Sequence, residues 1–116
     1  MAVPRAHYTE RKPHPMLTIT RKLEFDAGHR IPDHNSQCRN LHGHRYTLLI
    51  TLTGDVVQQD GESDNGMIMD FGDIKAAFKP LLDQLDHYYL NEIEGLDNPT
   101  SENLVKWICK IRKNYC

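Results

Sequence analysis

The sequence predicts an α+β fold. Two strand-like runs come first and two helix-like runs follow, instead of alternating along the chain. The first pair is rich in Leu, Ile, Thr, Tyr and Phe; the second repeats apolar residues every three or four positions. At 116 residues, 39% apolar and 26% charged, the chain has the size and make-up of one globular domain, expected over residues 17–116.

Residues 1–16 hold three prolines, two histidines and several charges but no apolar run, so a disordered extension and no secretory signal is expected there. Leu17 to Phe25 alternates apolar and polar residues and reads as a strand. Ile31 to Asn40 has loop composition. A second strand runs from about Gly43 to Gly54, followed by a polar stretch, Asp55 to Gly66, with Asp-Gly and Asn-Gly turn signals. A helix opens at Met69–Asp73, with Asp70 as N-cap and Asp73 in the first turn. Its apolar set is Phe71, Ile74, Ala77, Phe78, Leu81, Leu82 and Leu85. Pro80 predicts a bend or restart near Lys79, because a mid-helix proline costs about 3 kcal/mol. Asp86 to Asn91 is the exit, and a loop passes Gly95 and Pro99. A second helix starts at Thr100, capped by Thr100 with Asn103 or by Ser101, with Leu104, Val105, Ile108 and Ile111 as its apolar face and Trp107 on one flank.

A net charge of −2 provides no basic footprint for nucleic acid, and no apolar stretch approaches the roughly 20 residues of a membrane span. Cys38, Cys109 and Cys116 are sparse, odd in number and without the spacing of a disulfide framework, which predicts a reducing compartment, the cytoplasm by default. Cys109 is expected to be structural and Cys116 a tail residue.

His42 and His44 lie two apart at the start of the second strand, so both imidazoles project from one face. If the strands pair antiparallel, the end of the first brings His29 beside them. Three imidazoles without a fourth protein ligand describe a zinc site with a position open to water or substrate. Cys38 stands near that site without having to bind the metal.

Five motifs in order then match a known family: Phe25-Asp26-Ala27-Gly28-His29-Arg30; Cys38 with His42-Gly43-His44; Gly66 to Phe71; Leu85 to Asn91; and Asn98 to Asn103. Over about residues 17–110 they resemble the 6-carboxy-5,6,7,8-tetrahydropterin synthases of the 6-pyruvoyltetrahydropterin synthase family. The three residues between Cys38 and His42 resemble the carboxy-forming branch. The resemblance implies a tunnelling fold, an antiparallel sheet with two helices on one face, and homo-oligomers (trimers, hexamers). It implies a lyase that converts 7,8-dihydroneopterin triphosphate to 6-carboxytetrahydropterin, acetaldehyde and triphosphate, on the route to queuosine and other deazapurines.

By the same resemblance His29, His42 and His44 hold Zn²⁺ and Cys38 is the general base. His87 with Asp86 forms an acid–base pair, and Thr100, Ser101 and Glu102 line the pterin pocket. Helix capping is the plainer role for that last segment, and Asp86 could instead position its loop. The family continues after the second helix with two strands and a pterin-anchoring glutamate. This sequence reaches Cys116 without them, so a member truncated in nature or only partly given is expected, with zinc affinity partly retained and turnover much reduced. Pyruvoyl-forming activity and a non-catalytic zinc-binding remnant are the competing readings. A cupin-like oxygenase leaves Cys38 and His87 without a task.

Overall fold

A computed structural model describes residues 16–116; the extension expected over residues 1–16 lies, apart from Met16, outside the described residues. Two strands, β1 (Leu17–His29) and β2 (His42–Gly54), precede two helices, α1 (Phe71–Leu85) and α2 (Ser101–Ile111). Short 3-10 turns cover Gln37–Arg39, Leu90–Glu92 and Lys113–Tyr115. The strands form an antiparallel two-stranded sheet. No described helix is long and apolar enough to cross a membrane.

The described chain gathers into two compact units. One takes residues 16–20 and 51–70. Within it the hydroxyls of Thr20 and Thr51 meet across the strands at 3.0 Å. The expected turns close a loop in which Val57 donates to the Met67 carbonyl and Gly66 to that of Val57, both at 2.7 Å. Gly66 of the Asn-Gly pair has φ of 86°, a conformation that glycine adopts without a Cβ clash.

The other unit takes Arg21–Ile50 and Phe71–Cys116. Here Leu23, Phe25, Ala27 and His29 of β1 are buried and alternate with more open residues, as a strand with one covered face requires. Three facing pairs fix the antiparallel register: Phe25 stacks on Tyr46 with centroids 5.0 Å apart, Asp26 meets Arg45, and His29 meets His42. Each step forward on β1 is one step back on β2. The strand continues past Phe25, where its apolar alternation gives way to Asp26 and Gly28. Their N–H groups are satisfied from the strand's other side, by Asp86 Oδ1 at 2.9 Å and the Tyr88 carbonyl at 3.1 Å. A parallel bridge joins Gly28 to Tyr89 there.

Three expectations about the helical half are corrected. α1 does not restart near Lys79 but continues as one helix through Pro80, with Ile74, Phe78, Leu81 and Leu85 burying one stripe on both sides of it. Phe71 is 47% exposed and so lies outside the core face. Cys109 and Cys116 are not free thiols but form a disulfide that ties α2 to the last turn; the spacing of an odd cysteine set could not reveal a local pair. Near it Arg112 donates to the Ala77 carbonyl of α1 at 2.6 Å, and Tyr115 packs edge-on against Phe78.

α2 begins as its sequence predicts. Thr100 is the N-cap and its hydroxyl accepts from the Asn103 N–H at 3.1 Å. Leu104 and Ile108 are buried, whereas Val105 and Ile111 of the predicted apolar face are open to solvent. Trp107 donates its indole N–H to the Glu94 carbonyl at 3.1 Å. Gly95 beside it has φ of 91°, and a Cβ there would come 3.2 Å from the Trp107 ring. Only glycine suits that turn.

Candidate metal centre and active site

The register of β1 and β2 sets His29 opposite His42, and the two-residue period puts His44 on the same face. One nitrogen from each imidazole lies within 4.8 Å of the other two. The rings are edge-on to one another, with centroids 4.6 to 5.0 Å apart.

Backbone carbonyls decide which nitrogens face inward. His29 Nδ1 donates to the buried Pro99 carbonyl at 2.9 Å, and His42 Nδ1 donates to the Asn40 carbonyl at 2.7 Å. A neutral imidazole carries one N–H, so both Nε2 atoms are left with bare lone pairs. Those two Nε2 atoms are 3.0 Å apart. Two lone pairs at that distance repel unless a cation or proton lies between them, and outer hydrogen bonds of this kind are how ligating histidines are oriented. Burial, together with the two neighbouring imidazoles, pushes the His29 pKa down against the opposing pull of the Pro99 carbonyl. The neutral, ligating form is favoured. The donor set therefore fits a divalent metal with imidazole preference.

Cys38 sits on the 3-10 turn Gln37–Arg39 as an exposed free thiol. It lines a cavity of about 830 Å³ together with the three histidines, Thr100 and Ser101. The thiol and the metal candidates thus open onto one space. Thr100 uses its hydroxyl to cap α2, and Pro99 before it holds His29. Glu102 lies exposed in the first turn of α2 and does not line this cavity.

Asp86 and His87 follow α1. His87 Nδ1 is 3.0 Å from Asp86 Oδ1, so the adjacent pair is hydrogen-bonded. The carboxylate also accepts the Asp26 N–H, which is the main reason the Asp86 pKa is lowered, with His87 adding to it. His87 is the one non-glycine residue with positive φ among the described residues, at 66°. Such a backbone costs of order 1–3 kcal/mol and persists where surrounding bonds impose it. Here the His87 N–H donates to the Asp26 carbonyl at 2.6 Å. His87 lines a second cavity of about 700 Å³, which does not include Cys38; His44 and Leu41 border both cavities.

The profile of the family described as 6-pyruvoyl tetrahydropterin synthase matches residues 18–116. The chain belongs to the 6-pyruvoyl tetrahydropterin synthase family. It is 43% identical over 94 residues to a 6-carboxy-5,6,7,8-tetrahydropterin synthase of a Synechocystis strain, covering 80% of this chain and 72% of that one. It is 36% identical over 97 residues to a dihydroneopterin monophosphate aldolase of Pyrococcus furiosus, covering 83% and 75%. The structure of the Caenorhabditis elegans 6-pyruvoyl tetrahydropterin synthase superposes with a TM-score of 0.72 at 27% identity, covering 87% of this chain and 79% of that one. The two antiparallel strands and two helices match the truncated α+β tunnelling fold expected from the sequence.

Within this family frame, several residues to which the sequence assigned no role support the site. Pro99 and Asn40 act through backbone carbonyls, which leave no side-chain signature. Tyr46 reaches His29 Nδ1 with its hydroxyl at 3.1 Å, and burial pushes its pKa up. A signal for it existed: it lies two residues after His44, on the same strand face. Asn91 clasps Arg30, accepting its N–H and donating to its carbonyl, both at 2.9 Å. That pair holds the chain where it leaves β1.

Proposed function

We propose that this chain is a zinc-dependent lyase of the 6-carboxytetrahydropterin synthase type, acting on 7,8-dihydroneopterin triphosphate. The single observation behind this reading is the convergence of His29, His42 and His44 beside Cys38, with the inward Nε2 atoms of His29 and His42 freed by backbone carbonyls. The relatives named for the carboxy-forming reaction support the choice of product.

His29, His42 and His44 would hold the zinc. Bound there, zinc supplies Lewis-acid polarisation of the hydroxyls on the substrate side chain. Cys38 takes a proton from the carbon framework on its side of the site. Asp86 holds Nδ1 of His87, which leaves Nε2 as the atom that exchanges a proton with substrate or water. Thr100 and Ser101 border the cavity, and they and main-chain groups beside them would orient the pterin. The product lies on the route to queuosine and related deazapurines. A homo-oligomer of the family type completes the proposal.

Incubation of the zinc-loaded chain with dihydroneopterin triphosphate tests it. The expected products are 6-carboxytetrahydropterin and acetaldehyde in equal amounts, lost on chelation. A second reading, pyruvoyl formation, is favoured by the superposition on the worm synthase. Release of triphosphate without acetaldehyde would select it, and zinc binding without any turnover would select the non-catalytic remnant.

A further inference from the structure

Three groups meet beside the second cavity. A carboxylate oxygen of Asp26, one of Asp86 and a ring nitrogen of His87 lie within 4.8 Å of one another. Either carboxylate is therefore close enough for its charge to act on the imidazole, and Asp86 is the one in contact with it, at 3.0 Å. A trio of this kind resembles a cation site, yet a cation from the chain itself already sits on it. Arg45, opposite Asp26 on β2, donates from Nε to Asp26 Oδ1 at 3.0 Å and from Nη2 to Oδ2 at 3.1 Å. Both oxygens of Asp26 are engaged by one guanidinium fork.

That leaves a division of labour. Asp26 uses its main chain to hold the loop, through its N–H to Asp86 and its carbonyl from His87. Its side chain turns to Arg45, which is the main reason its pKa is lowered. Asp86 alone bonds the imidazole. We propose that Arg45 is a positioning residue: by engaging both oxygens of Asp26 it offsets that charge beside His87, so that Asp86 is the imidazole's one hydrogen-bond partner. The pair is too exposed for a stabilising role, at 64% and 42%, and exposed ion pairs contribute little to folding. Its effect is electrostatic and local. The link to catalysis rests on the proposed role of His87; the effect on the His87 imidazole does not.

The charged and titratable groups lining the cavity around His87 are Asp26 on β1, His44 and Arg45 on β2, and Tyr88 and Tyr89 on its own segment, with Asp86 bonded to it. Of these, Arg45→Met changes one cation and frees one carboxylate. The test follows the His87 ring nitrogens of the full chain by NMR across pH. An unneutralised carboxylate within about 5 Å of a partly exposed imidazole should raise its midpoint by roughly half a pH unit or more. The Arg45→Met variant should show that rise with an unchanged thermal midpoint of unfolding. Arg45→Lys, which keeps the charge, should recover most of it, and the double variant Asp26→Asn with Arg45→Met should return to the parent value. An unshifted Arg45→Met variant, or a double variant as shifted as the single one, would overturn the assignment. If the chain lacks lyase activity but shows this pattern, the reading of Arg45 holds and the lyase reading fails.

Discussion

The Nε2 atoms of His29 and His42 face each other at 3.0 Å, while the opposite nitrogen of each ring donates to a main-chain carbonyl. Neither ring in its neutral form has a proton to place between them. The two strands hold an arrangement that a metal ion relieves.

The first prediction concerns that imidazole pair. His42→Ala should lower zinc affinity by well over the 10–100-fold typical of losing an outer-shell partner, and Tyr46→Phe by about that smaller range. Competition against a chromophoric chelator measures both. Equal affinities for the parent and His42→Ala would show that the ion binds elsewhere.

The second concerns His87. His87→Ala should reduce turnover by about 10²–10⁴-fold, the usual contribution of a positioned acid–base group, with bound zinc unchanged. Asp86→Asn should fall in the same direction by less, because the amide can still accept from the ring and the Asp26 N–H. Zinc content and steady-state rates on the same preparations check it. A full-rate His87→Ala enzyme would remove the residue from the mechanism.

Stability of the metal-free chain should depend on pH through His29. Its pKa is pushed below the ordinary 6.5, mainly by burial, so the unfolded chain binds the proton more readily. Its contribution is fully present above 6.5 and is lost as pH falls toward the lowered value. Thermal unfolding midpoints should therefore decline on acidification below 6.5, and a His29→Asn variant should show a shallower decline. A parallel decline in both would assign the effect to other groups.

Reduction of the Cys109–Cys116 disulfide should destabilise the chain. The bridge spans seven positions, and loop closure of that length is worth at most about 2–3 kcal/mol. Cys116→Ser should lower the unfolding midpoint to the level of the reduced parent. Two reactive thiols in the unreduced chain, in addition to Cys38, would show that the bridge does not form in solution.

Much of this architecture was legible beforehand because it rests on local periodicity. Alternation along Leu17–Phe25 marked β1, the spacing from Ile74 to Leu85 marked α1, and Thr100 with Asn103 marked the start of α2. Legibility failed where packing outweighs propensity. Pro80 stays inside one helix because the stripe on either side of it is buried together. Phe71 and Val105 match the helical period yet face solvent, since a period tells which residues share a face but not how wide a face is covered.

By itself, then, the sequence determined the order of elements, the faces of the strands and the presence of His29, His42 and His44 on one of them. Those follow from bond geometry that repeats every two or 3.6 residues. Tertiary structure alone decided which imidazole nitrogens are free, that Cys38 and His87 open onto different cavities, and that Arg45 takes Asp26 and leaves Asp86 to His87. The reason is physical: most of these depend on carbonyls and charges brought together from positions far apart along the chain, Pro99 with His29 and Arg45 with Asp26, and no local pattern encodes such a distance.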